Sequence, residues 1–188
     1  MNTQISNLLK QFSNYSKKEL LLLEQALEYK TLKKGEFLLD KGAICSSLSF
    51  LNSGALYQYT VDTNLDKHII ELYTANDWVI NNKSFSSRSK SDTYIQAFED
   101  SSICFLTIDA IHNLIAQSQS FFQIGRILDD STSRIHFFDE NLTPDKKYAY
   151  LLENKPKLLQ AFPQKLIASY LKITPETLSR VRQRFSKN

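Results

Sequence analysis

Residues 164–188 read QKLIASYLKITPETLSRVRQRFSKN, and the rest of the chain is interpreted outward from this stretch. Pro163 supplies a fixed φ where a helix starts. Ile167, Ala168 and Leu171 then recur at helical spacing and give one apolar face. Ala168 is small where a second helix has to approach closely. Lys172, Ile173 and Thr174 form a turn. Thr174 suits an N-cap, Pro175 the first helical position, and Glu176 the positive end of the helix dipole. Leu178, Val181 and Phe185 follow at i, i+3 and i+7 as a buried stripe. The other side carries Glu176, Ser179, Arg180 and Gln183, with Arg182 and Arg184 toward the flanks. Two short helices joined by a tight turn, the second capped and amphipathic, predict a helix-turn-helix whose second helix enters a DNA groove. Side chains of these types can read base edges: Arg reads guanine, Glu accepts from cytosine, Gln reads adenine. The bland alternative is a basic amphipathic helix with one solvated face. The cap, the proline, the small Ala168 and the short turn together argue against it.

The charge map points the same way. The overall charge is +3, yet residues 141–188 hold ten Lys/Arg against three acids. The first 140 residues hold thirteen bases against seventeen acids. A basic terminal part on an acidic body suggests a nucleic-acid-binding arm on a separate sensing or scaffolding body. Cys45 and Cys104 are too few for a disulfide framework or an iron–sulfur cluster, and both sit in apolar stretches, so reduced core thiols are expected. There is no signal-peptide pattern at the start and no run near the ~20 apolar residues that span a bilayer. A soluble, cytoplasmic protein without membrane contact is expected.

Residues 16–30, SKKELLLLEQALEYK, predict a helix, with Ser16 and Glu19 at capping-box spacing. From Thr31 to about Ile108 the texture changes to short β-branched and aromatic runs: EFLLD, SLSFLN, ALYQYT, HIIELY, YIQAF and ICFLTI. Turn residues at Lys41-Gly42 and Asn52-Ser53-Gly54 punctuate them, the pattern of an antiparallel sandwich or barrel-like roll. Helical patterning returns after Asp109. Phe121, Ile124, Leu128, Ser131, Ile135 and Phe138 step by 3, 4, 3, 4 and 3, an a/d seam with Ser131 as the polar break. Such a seam packs either on its own β-body or on a partner copy, and the parallel two-helix dimer is favoured. Asn141 to Pro144 hinge into the basic tail. A further helix spans 145–152, and Asn154-Lys155-Pro156 breaks it.

The chain is thus expected to be an α+β protein. An N-terminal antiparallel β-roll or jelly-roll sensor domain covers 1–115, a long dimerisation helix 116–140, and a helical helix-turn-helix domain 141–188. This order resembles the Crp/Fnr family of bacterial transcription regulators, whose sensor is a cyclic-nucleotide-binding-type roll. The resemblance covers nearly the whole chain. It rests most specifically on IASYL at 167–171, ITPETLSR at 173–180 and KKGEFLLDKG at 33–42. It implies a homodimer on a pseudo-palindromic operator in double-stranded DNA, with Pro175, Glu176 and Arg180 at base-reading positions. Thr174, Thr177, Ser179 and Gln183 complete the expected contact set, and Lys165, Lys172, Lys187, Arg182 and Arg184 are expected on phosphates. Two departures stand out. Lys172 occupies the turn position where the family usually has Gly, and no sequence follows the second helix to form a β-hairpin wing.

Nucleotide-binding relatives carry a Gly-Glu pair and an Arg-Ser/Thr-Ala signature, because a buried phosphate needs charge-assisted donors. Aligning Tyr94-Ile95-Gln96-Ala97 places Ser91-Asp92-Thr93 on that signature, and Asp77 to Asn82 offers neither Gly nor Glu. Asp92 would put a negative charge beside the phosphate, and Arg88 falls three residues too early. Cyclic AMP is therefore not expected in the family's usual mode. An altered pocket for an unidentified small-molecule effector could draw on Trp78, Asn81, Asn82, Phe85, Arg88, Ser91 and Asp92, although Trp78 and Phe85 are of types more often found simply as core. His68, His112 and His136 do not pair at metal-ligand spacing, and Gly35, Gly42, Gly54 and Gly125 are too scattered for a phosphate loop. No metal, cofactor or enzymatic activity is expected. The rival reading is a ligand-binding or protein-interaction module with a vestigial helix-turn-helix.

Overall fold

The computed structural model describes residues 15–127 and 142–186. Helix α1 (Lys17–Ala26) opens with the expected capping box: Ser16 accepts from the Glu19 amide at 3.3 Å, and Glu19 accepts from the Ser16 amide at 2.6 Å. The helix stops at Ala26, short of the expected Lys30. Residues Glu28–Leu32 instead form strand β1, which pairs antiparallel with Ser101–Phe105 at the edge of a sheet. The chain there takes a tertiary partner over its local helical pattern.

Strands β2 (Phe37–Leu39), β3 (Ser47–Ser53), β4 (Ala55–Val61), β5 (Lys67–Thr74), β6 (Trp78–Val79), β7 (Tyr94–Ala97) and β8 (Ser101–Thr107) complete the roll. They form two four-stranded antiparallel sheets, ordered β1-β8-β3-β6 and β2-β7-β4-β5. Each expected apolar run falls on a strand, and β1 and the short β6 lie outside those runs. Gly54 makes the corner between β3 and β4, which lie in different sheets. Its φ is +93°, and a Cβ there would come within 2.6 Å of the Asp100 carbonyl, so no other residue fits without a shift.

The main core gathers Leu48, Phe50, Leu56, Ile95, Ile103 and Leu106, each at most 1% exposed. Burial of such side chains is the chief driving force for the roll. Cys45 and Cys104 are free and buried within it, and burial pushes the Cys104 thiol up to about 11. A short helix α2 (Asn82–Ser87) follows β6, and helix α3 (Ile108–Gln117), capped by Thr107, follows β8. Ser118 then breaks the chain into a 3₁₀ turn, Gln119–Ile124.

This break corrects part of the expected dimer seam. Phe121 and Ile124 are 0% and 3% exposed, and Phe121 stacks on Tyr15 at 5.4 Å. Both point into the roll's own core. A heptad seam needs a continuous α-helix, whereas a 3₁₀ turn advances three residues per turn and carries the two side chains inward. Leu128, Ser131, Ile135 and Phe138 lie outside the described residues.

The C-terminal part is all helical: α4 (Pro144–Asn154), α5 (Pro156–Ala161), α6 (Gln164–Tyr170) and α7 (Pro175–Phe185). The break at Lys155-Pro156 falls where expected, and Pro156 opens α5.

Candidate nucleic-acid interface and the roll interior

Helices α6 and α7 are joined through residues 171–174. Ala168 on α6, Leu171 at its C-cap, and Leu178 and Val181 on α7 are fully buried in one cluster. The turn is a Schellman motif. The Ile173 amide donates to Ala168 O at 3.0 Å and the Lys172 amide to Ser169 O at 3.1 Å. Lys172 holds the left-handed position with φ +56°, the conformation for which glycine is usual. The tight turn is thus made by a residue that adopts its geometry at a cost.

A residue with no local sequence signal closes the same turn. Lys147, on α4 and 7% exposed, donates from Nζ to Leu171 O at 3.0 Å. A cation against the carbonyl end of a helix is favourable. Removal from water pushes the Lys147 amine below its ordinary range.

Helix α7 begins as expected. Thr174 Oγ1 accepts from the Thr177 amide at 3.2 Å, with Pro175 in the first turn. Thr174, Pro175, Glu176, Ser179, Arg180, Arg182, Gln183 and Arg184 are exposed, Thr177 is half-buried, and Lys165 is exposed on α6. Glu176 is held below the usual carboxylate range, first by its own backbone amide, then by the Thr174 hydroxyl and by Arg180 one turn on. Arg184 departs from the expected set. Its guanidinium forks onto Asp145 of α4 at 2.9 and 2.7 Å, which ties it to the domain's own surface. Phe185 is 38% exposed and meets Tyr148 edge-on at 5.4 Å, so the expected stripe is fully buried only at Leu178 and Val181.

The helical part does not stand apart from the roll. Tyr57, Tyr59, Ile69 and Leu72 on the outer face of β4 and β5 share one buried cluster with Leu158, Phe162, Ile167 and Tyr170. A bulge at Ile70 of β5, opposite the Gln58–Tyr59 step of β4, makes this face. It lets Ile69 and Leu72 point the same way, where strict alternation would separate them. Phe162 packs on Phe98 at 4.9 Å, and the Ile69 amide donates to Ser169 Oγ at 3.0 Å. At its centre Lys155 meets Glu71 at 3.3 Å, their side chains 12% and 3% exposed. None of these cross-contacts is visible in the sequence, because their partners are up to 100 residues apart.

Inside the roll, where the resemblance would place a cyclic phosphate, neutral polar groups satisfy one another. Asn81 caps α2 and donates to Ser91 Oγ and Thr93 Oγ1, both at 2.9 Å. Thr93 Oγ1 accepts from Gln58 Nε2 at 2.9 Å, and Gln58 Oε1 accepts from Tyr73 at 2.9 Å. The six side chains expected around an altered pocket do not share one. Asn81 and Ser91 are buried in this network, and Asn82 bonds Ser86 at 3.0 Å. Asp92 is exposed and paired with Lys83 at 2.9 Å. Arg88 is exposed at the left-handed end of α2, with φ +54°. Phe85 lines a different cavity, beneath α3. Trp78 is core, edge-on to Phe50 at 5.1 Å.

Residues 29–118 match the cyclic nucleotide-binding domain family. Over the whole chain, the regulatory protein HlyX of Actinobacillus pleuropneumoniae is 25% identical across 205 residues, with 83% of its own length covered. Among solved structures, FixK2 from Bradyrhizobium japonicum aligns with a TM-score of 0.66 at 14% identity, covering 86% of this chain and 85% of that one. The catabolite activator protein of Thermus thermophilus aligns at 0.54 and 17% identity, covering 94% and 86%. A chain from Eubacterium rectale assigned to the Crp/Fnr family aligns at 0.57 and 16% identity, covering 92% and 84%. The class is therefore a cyclic-nucleotide-binding-type roll joined to a C-terminal helical region. Over most of its length the chain shares the fold of these proteins. Among the described residues no helix is long and apolar enough to cross a membrane.

Proposed function

We propose that this chain is a homodimeric transcription regulator that binds duplex DNA at an inverted repeat, and whose roll does not take cyclic AMP in the usual way. The observation that carries the DNA reading is the exposed face of α7. Glu176, Ser179, Arg180 and Gln183 project from a capped helix whose opposite side, Leu178 and Val181, is locked in the domain. Glu176 and Arg180 supply base-edge contacts, and Pro175 offers only an apolar one. Lys165, Lys172, Lys187 and Arg182 neutralise phosphates and make affinity fall steeply with salt. Arg184 joins them only by releasing Asp145.

The reading of the roll rests on the interior network. A cyclic phosphate there would meet Asn81, Ser91 and Thr93, none of them cationic, and would have to break their mutual bonds. Two copies on one operator would set their α7 helices in successive major grooves, roughly 34–36 Å apart.

Selection from a pool of random duplexes, followed by sequencing, tests the DNA reading. An enriched inverted repeat with half-sites about one helical turn apart is expected. Arg180→Ala should relax preference at one base pair per half-site and cost roughly 1–3 kcal/mol. Lys165→Ala should weaken all sequences alike. No enrichment with or without cell extract, or an equal loss on every sequence for Arg180→Ala, would overturn the assignment.

A further inference from the structure

We propose that the cavity between α2, α3 and the 3₁₀ turn is a binding site for a small apolar molecule with one polar end. Its regulatory consequence rests on the reading of the chain as a regulator; the site itself does not. The cavity measures about 210 Å³. Phe85 of α2, Ile111 and Ile115 of α3, and Phe121 and Ile124 of the turn form its walls. His112 is the one ionisable side chain among the lining residues, and it is exposed at the rim.

Size and chemistry select the guest. An apolar protein cavity of roughly 150 Å³ takes up benzene, so this volume suits roughly eight to ten non-hydrogen atoms. A guest with several polar groups would leave most of them unpaired against isoleucine and phenylalanine. A single hydrogen-bonding end can reach His112 and solvent. The space is open beyond the walls named: a Cβ built on Gly125 meets nothing within 4 Å. Phe122, also lining the cavity, is 62% exposed, a large apolar surface that a guest would cover.

The position gives such a guest leverage. Phe85 sits on the helix capped by Asn81, the residue that holds the interior polar network. Phe121 and Ile124 belong to the segment that leads toward the helical part. A guest that wedges between Phe85 and these residues contacts both, and it shifts their balance by as much as its affinity differs between two arrangements.

The test is a titration of the full chain, carrying labelled isoleucine methyl groups, with 1-octanol and separately with octanoate. The two probes share a tail and differ in the polar end. Saturable shifts at Ile108, Ile111, Ile115 and Ile124 with either probe are expected, and the stronger probe identifies the end that His112 accepts. Ile115→Trp and Gly125→Leu fill the space from opposite sides. At least one that keeps a cooperative melt should weaken the probe by roughly tenfold or more. Three results would overturn the site: shifts that never saturate, shifts that survive both fillings, and methyl changes that follow protein concentration instead of probe, which would mean a second copy covers the cavity. The titration contains no DNA. Failure of the duplex selection leaves it standing, and its own failure leaves the DNA reading intact.

Discussion

The Lys147 ammonium lies 3.0 Å from the Leu171 carbonyl oxygen, so a side chain from α4 closes the end of α6 where the turn to α7 begins. Lys147→Met should keep the packing and lose the bond, leaving a buried carbonyl with one partner fewer. The expected cost is about 1–3 kcal/mol in urea unfolding. An unchanged midpoint would mean that the bond contributes nothing net.

The left-handed Lys172 predicts a gain. Replacing it with glycine removes the steric cost of φ +56° while the Schellman bonds stay. After the extra entropy of a glycine in the unfolded chain, Lys172→Gly should stabilise the protein by about 0.5–1 kcal/mol. A loss of stability would show that the lysine side chain supplies more than its backbone costs.

The Glu71–Lys155 pair predicts strong coupling across the contact between roll and helices. Either single change, Glu71→Leu or Lys155→Met, strands a buried charge and should cost about 3–5 kcal/mol. The double change should recover most of that loss. Additive losses in the two-residue cycle would show that the charges do not sense each other.

Glu19 predicts the acid limb of the stability curve. The Ser118 hydroxyl, then the Ser16 amide and hydroxyl, hold its carboxyl down to about 2. A depressed carboxyl stabilises the fold fully above its unfolded value, about 4.3, and that contribution is lost as the pH falls toward 2. Glu19→Gln should therefore flatten the fall in melting temperature between those limits. A parallel curve would place the acid sensitivity elsewhere.

Calorimetric titration with cyclic AMP should give no saturable heat at micromolar nucleotide. Binding in that range would mean that the Asn81, Ser91 and Thr93 network opens and that a cation, Arg88 or Lys83, swings in to meet the phosphate.

Much of this architecture is legible from residues alone. The helix-turn-helix announces itself through Thr174, Pro175 and the Leu178 and Val181 spacing, because caps and periodicity are local properties. The roll shows in its alternating apolar runs for the same reason. What escapes is what depends on distant partners. Strand β1 has a helical pattern and becomes a strand because β8 offers it an edge. Phe121 and Ile124 fit a heptad, yet the Ser118 break changes the number of residues per turn and aims them inward. Lys147, Glu71 and Lys155 look like ordinary surface charges until the helices fold over the sheet. In the interior, Asn81 and Ser91 read from the sequence as possible pocket residues, and only the fold shows that they are bonded to each other.

The bulge in β5 that aligns Ile69 with Leu72 has a consequence for how the molecule comes apart. It lets the middle of β4 and β5 be covered on both sides, by the roll's interior on one and by α5 and α6 on the other. Detaching the helices would bare a strip of tyrosine, isoleucine and leucine beside an unpaired Glu71. The roll and the helical part should therefore unfold together, and two separate transitions in a thermal melt would overturn that expectation.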